Sequence, residues 1–169
     1  MYGWIKRGVR KELPTNTGRQ RLNLTGAINI FSHQVVIQEG ETLNADSTIS
    51  FLEKLAEAYP HKETIHLFCD NARYYKNKRV GAYLATSKIK MHSLPPYSPN
   101  LNPIERLWKF TNERVLYNRY YEKFRDFKNE FLGFLEGLFD PLQDVLDLLK
   151  RHINDKFYVM KSTFAKSSI

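Results

Sequence analysis

At 169 residues the chain has room for one ordinary domain with a proper core, and at 42% hydrophobic and 26% charged its composition is that of a soluble globular protein. No apolar run nears the roughly 18 residues of a membrane span, the basic start "MYGWIKRGVRKE" lacks a signal peptide's apolar stretch, and a lone cysteine, Cys69, excludes an internal disulfide. A cytoplasmic location with no membrane partner is expected, and the net charge of +8 favours a polyanion, nucleic acid first.

The opening residues read as strands. "YGWIKRG" interleaves apolar and charged residues, and "RLNLTGAINI" alternates Leu22 and Leu24, then Ile28 and Ile30, around a glycine. Between them "KELPTNTGRQ" has the Pro, Asn and Gly of a loop. "HQVVIQEGETLN" predicts a further strand or hairpin, with Glu39-Gly40-Glu41 as its turn. "NADSTISFLEKLAEAYP" changes to helical period: Phe51, Leu52, Leu55 and Ala56 make one stripe, Asp46 or Ser47 is the expected cap, and Pro60 marks the end.

"TIHLFCDNA" is a nearly continuous apolar run ending in Asp70-Asn71, as expected of a buried central strand. "ARYYKNKRVGAYLATS" predicts a helix with a basic face, and "IKMHSLP" another strand. A proline-rich loop, "PPYSPNLN", then leads into a helix through about Tyr117. "EKFRDFKNEFLGFLEGLF" is amphipathic through Phe124, Phe127, Phe131, Leu135 and Leu138; Pro141 interrupts it, "LQDVLDLLKRHINDKF" continues as a last helix, and the polar tail should fray. Strands that come first and then alternate with helices indicate an α/β or α+β class with a mixed sheet.

Two acids stand out, each with a plain structural reading beside it. Asp70 falls where a buried strand ends, the place where open α/β sheets bind ligands; Asp-Asn also opens turns routinely. Glu105 sits at the third position of a helix begun by Asn102 as cap and Pro103 at the first position, the spacing of a capping box. A capping role alone does not account for three prolines and two asparagines fixing the loop before it. Lys76, Lys78 and Arg79 follow Asp70, while Arg106, Lys109 and Arg114 follow Glu105; such clusters are solvated faces or phosphate contacts. Tyr74, Tyr75 and Tyr97 could stack on bases or pack at a rim. Trp108, three residues after Glu105, is expected to pack its helix on the sheet. The histidines show no metal spacing, and Cys69 reads as core.

"LFCDNARYYKNKRV" followed by "LPPYSPNLNPIERLWK" closely resembles the catalytic domain of bacterial insertion-sequence transposases of the DDE type, mariner superfamily. The "PYSPxLNPIExxW" block, Pro96 to Trp108, is highly specific, and the resemblance runs to about residue 140. It implies a ribonuclease H-like fold, a mixed sheet flanked by helices, and three acids holding two magnesium or manganese ions. Asp70 matches the second acid and Glu105 the third, with 34 residues between them. Paired ions of this kind activate a water or terminal hydroxyl and steady an in-line displacement at phosphorus.

The first acid of such enzymes lies on a strand just upstream of the segment resembling "YGWIKRG". No Asp or Glu precedes Glu12 here, so that strand and its Asp are expected to be missing. Asp46 is a poor substitute at a predicted helix cap. Residues 1–140 are then a truncated catalytic domain, with the C-terminal helix and tail of 141–169 belonging to it. The function implied is metal-dependent DNA strand cleavage and transfer in transposition, inactive in the isolated chain. The alternative is a non-catalytic DNA-binding or dimerising remnant. The partners expected are DNA, an upstream transposase segment supplying the first Asp, or a second copy of the chain.

Overall fold

The computed structural model describes residue 8 and residues 20–96, 101–117, 119–138 and 143–152. The expected first strand, apart from Gly8, the loop after it, Tyr97, Pro141 and the tail lie outside the described residues.

Strands β1 (Leu24–Ile28) and β2 (Val35–Glu39) pair antiparallel, Leu24 opposite Glu39 and Ile28 opposite Val35. The hairpin turns earlier than expected, between the strands and not at Gly40. The Asn29 side-chain oxygen accepts from the backbone N–H groups of Phe31 and Ser32, and its carbonyl from that of His33, which sits at φ 62°. An Asn that can bond its own turn outweighs the glycine farther on. The apolar triplet Val35-Val36-Ile37 is buried throughout because β2 is covered on both faces.

Helix α1 (Ala45–Ala58) is capped by Asn44 and not by Asp46 or Ser47. Asn44 accepts from the Ser47 N–H at 2.9 Å while the Ser47 hydroxyl accepts from the Asn44 N–H, a capping box with serine in the usual Glu position. Its expected stripe is the core: Phe51, Leu52 and Leu55 are at most 3% exposed. They pack with Val36 of β2, Ala27 of β1, and the inner faces of β3 (Ile65–Cys69) and β4 (Ile89–Ser93). Strands β3 and β4 run parallel, Ile65 opposite Ile89 and Cys69 opposite Ser93. Among the described residues the two strand pairs are separate two-stranded sheets, both resting on α1.

β3 departs from the expected buried strand. Ile65 and Leu67 pack in the cluster around α1 and Cys69 is buried, but His66 is exposed and Phe68 is 57% exposed, so among the described residues only one face is covered. A short apolar run records hydrophobicity, not how many layers cover it. The expected single helix after Asp70 is also split. A 3₁₀ turn at Arg73–Lys76 stops at Asn77, whose side chain accepts from the Arg79 N–H and caps a fresh helix, α2 (Lys78–Thr86).

On the other face of β1–β2 lies a second cluster from α3 (Pro103–Thr111), α4 (Phe124–Glu136) and α5 (Gln143–His152), in which Leu107, Leu135 and Leu149 are fully buried. The helix expected through Tyr117 widens after α3 into a π-helical turn, Asn112–Leu116. Trp108 docks α3 on the sheet, as expected, and Gly26 provides its seat: a methyl group there would lie 3.0 Å from the indole. Gly26→Ala should therefore destabilise the protein by about 1–3 kcal/mol through overpacking, and Trp108→Phe should relieve part of that loss. Urea unfolding of both variants and the double mutant checks this; strictly additive losses would mean the indole does not set the limit.

Candidate active site and its acidic residues

The acidic site begins where β3 ends. Asp70 is exposed, and its side-chain oxygen accepts from the Ala72 N–H at 3.1 Å, so the turn reading of Asp70 is correct as far as it goes. The Asn71 side-chain amide donates to the Leu94 carbonyl at 2.7 Å, and the Leu94 N–H donates to the Cys69 carbonyl. These two bonds tie the end of β4 to the turn that carries Asp70. The start of the proline-rich loop is thereby fixed beside the acid.

At the far end of that loop Asn102 caps α3, its side-chain oxygen accepting from the Ile104 N–H, with Pro103 in the first turn. The rest of the predicted capping box is not formed. Among the described residues the Glu105 carboxylate makes no bond back to Asn102 and is exposed, in the first turn where the helix dipole favours an anion. Only one donor is satisfied by the cap, and the Glu105 carboxylate remains free to serve another purpose.

Asp46 is elsewhere, in the first turn of α1 and paired with Arg79 at 2.5 Å. That pair occupies one of the cations expected to meet phosphate. Lys76 and Lys78 are exposed beside the Asp70 turn, as is Lys109 on α3, while Arg106 is half-buried. Arg114 lies over the Phe110 ring at 5.4 Å. Tyr74 and Tyr75 are half-buried against each other, ring centroids 4.6 Å apart, which fits rim packing better than free stacking platforms. Among the described residues no three His, Cys, Asp or Glu side chains gather closely enough to hold a metal ion. An apolar hollow of about 290 Å³, lined by Leu24, Trp108, Leu116, Phe127 and Phe131, contains no acid and belongs to the α3–α4 packing. Sequence reasoning missed Gly26, Asn77 and the Asp46–Arg79 pair. Only the asparagine had a local signal, since Asn before a Lys/Arg-rich helical stretch is a cap candidate.

The residues fit divalent metal in kind. Asp70 and Glu105 are hard oxygen donors, and magnesium is held by one or two carboxylates together with substrate phosphate oxygens.

A family model described as DDE superfamily endonuclease matches residues 1–128. The chain belongs to the DDE superfamily endonucleases. It is 28% identical over 116 residues to the insertion element IS630 uncharacterized 39 kDa protein of Shigella sonnei, a match covering 68% of this chain and 34% of that protein. The chain thus spans about a third of the length of this relative. Its fold is similar to that in the crystal structure of the Mos1 mariner paired end complex with Mn, with a TM-score of 0.54 at 18% identity over 89% of this chain and 46% of the other. It is also similar to a chain of the simian T-cell lymphotropic virus intasome in complex with PP2A regulatory subunit B56 gamma, with a TM-score of 0.51 at 16% identity over 65% and 41%. Its α/β fold is ribonuclease H-like. Among the described residues no helix is long and apolar enough to cross a membrane.

Burial first, and then the charge of Asp70, push the Cys69 thiol up to about 11. The same two causes raise Tyr74, and burial raises Tyr75 strongly. A thiol that holds its proton in the folded state contributes stability below its ordinary value of about 9, and that contribution is lost as pH rises through about 11. Native Cys69 should therefore alkylate with a pH midpoint near 11. Asp70→Asn should move the midpoint down without reaching the unfolded value. An unchanged midpoint would remove Asp70 from the neighbourhood of the thiol.

Proposed function

We propose that Asp70 and Glu105 are two of the metal-binding carboxylates of a DNA transposase, and that the chain's chemistry is metal-dependent DNA strand cleavage and transfer. The observation that carries this reading is the exposed Glu105 carboxylate, delivered by a capped and proline-braced helix start yet not used in the cap. Family membership supports it, as does the Mos1 complex with Mn. Bound magnesium or manganese would activate the attacking oxygen and offset charge at phosphorus. The protein's own part is positional. Asn71 and the Leu94 backbone hold the Asp70 turn against β4, Asn102 and Pro103 set the start of α3, and Trp108 on Gly26 fixes that helix against the sheet.

Such a site uses three acids, and an upstream transposase segment is the proposed source of the third. The strand edges support this reading: among the described residues each sheet is two-stranded, so β1 and β3 each keep an edge unpaired with another described strand while sharing α1 beneath them. An extended segment could pair with such edges, and the same edges would equally favour a homodimer.

Titration calorimetry with magnesium or manganese tests the acids. Binding abolished by Asp70→Ala and by Glu105→Ala is expected; binding indifferent to both would refute their role as ligands. For DNA, Lys76, Lys78, Arg106 and Lys109 are assigned to the phosphate backbone, with a smaller share for Arg79 because Asp46 already neutralises it. Tyr97, outside the described residues, is proposed as a further DNA contact. Lys76→Ala and Lys78→Ala should each reduce the slope of log affinity against log salt by about 1, whatever the DNA sequence. A basic-surface remnant without chemistry would show the salt dependence but no metal binding at the two acids.

A further inference from the structure

The histidines, scattered in sequence, are not all scattered in space. β3 and β4 pair in parallel with His66 opposite Lys90 and Phe68 opposite His92, so the two imidazoles are diagonal neighbours on the uncovered face. His66 Nδ1 and His92 Nε2 lie 2.9 Å apart, with ring planes 26° from parallel and centroids 5.2 Å apart. The Phe68 and His92 ring centroids lie 4.9 Å apart, with planes 23° from parallel. The strand pair that carries both imidazoles has its opposite face anchored in the core.

We propose that His66 and His92 form a two-imidazole site for a divalent transition ion such as zinc, nickel or copper, separate from the carboxylates of Asp70 and Glu105. The separation of the two nitrogens is that of a chelate, and each exposed ring reaches a shared ion by turning roughly 40° from the present head-to-head contact. Bonds of about 2.0–2.1 Å to one ion place cis ligands about 2.9 Å apart at a right angle and about 3.3 Å apart at the tetrahedral angle. Without metal the same distance is a hydrogen bond in which one neutral imidazole donates to the other. On binding, the donor ring carries its proton on its other nitrogen instead. Each ring then keeps one N–H and offers one lone pair, and no net proton is released.

Both side chains are exposed, so an ion and its waters can reach them. No third His, Cys, Asp or Glu joins them among the described residues, so water completes the coordination shell and the ion should exchange readily. Lys90, on the same face opposite His66, is a nearby positive charge that works against binding. Imidazole donors favour copper, nickel and zinc, whereas magnesium seeks oxygen, so the pair and the acids would sort different ions.

Copper(II) added to the full chain and followed by electron paramagnetic resonance tests the site. The expected signal is one ion per chain with two imidazole nitrogens. His66→Ala, His66→Gln and His92→Ala should each remove the two-nitrogen signature. Affinity should fall on the order of tenfold or more, since even supporting partners of metal ligands are worth that much. His61→Ala and the Asp70→Ala/Glu105→Ala double variant should leave it intact. Zinc should raise the melting temperature of the parent chain and not of the His66 or His92 variants, by stabilising the folded form that binds it. A two-nitrogen signal that survives loss of either histidine, or disappears with the two acids, overturns the proposal. All variants change exposed side chains, and circular dichroism confirms their fold before titration.

Discussion

Helix α1 is the constraint on which the rest depends. A two-stranded sheet is marginal by itself in water, and the described structure contains two of them, joined by no backbone hydrogen bond between them. What makes them one body is the stripe of Phe51, Leu52 and Leu55, which takes Val36 and Ala27 from one pair and Ile65, Leu67, Ile89 and Met91 from the other. Each fully buried side chain of this kind is worth about 1.5–3 kcal/mol over its exposed state. The capping box at Asn44 and Ser47 fixes where that stripe starts, and so which turn of the helix meets which sheet.

The layers are unequal as a result. β1–β2 is covered twice, by α1 on one face and by α3, α4 and α5 on the other, and its strand β2 is apolar at consecutive positions accordingly. Among the described residues β3–β4 is covered on one face only. Its inner residues are core and its outer ones, His66, Phe68 and His92, are exposed to water. Asp70 follows the exit of β3 in the singly covered pair, and Glu105 stands on the helix that Trp108 clamps to the doubly covered pair. Their relation therefore depends on both cores, although neither carboxylate is buried in either.

A local role need not use up a carboxylate. Asp70 holds a turn with one oxygen while staying exposed. At α3 the local duty falls to Asn102, which leaves Glu105 available. A turn-forming aspartate and a capping spacing are thus compatible with chemistry, because each uses only part of the carboxylate's four acceptor sites or passes the duty to a neighbour.

Helices α1, α3, α4 and α5, the order of the described strands and helices, the cap at Asn102, the packing of Trp108 and the motif around the two acids were legible in the sequence. Each is encoded within about a dozen residues, by periodicity, by capping chemistry or by a rigid proline-rich spacing. The cap at Asn44, the turn at Asn29 and the helix break at Asn77 had local signals too, but competing ones, and the winner was decided by which backbone donors each asparagine could reach. Other features had no local signal at all. That Gly26 seats an indole, that Arg79 pairs with Asp46, that β3 is open on one face and that His66 meets His92 all follow from contacts between segments distant in the chain. Strand register and layer coverage are properties of the assembled fold, and only the tertiary structure decides them, because a residue's periodicity records its own side chain and not what packs against it.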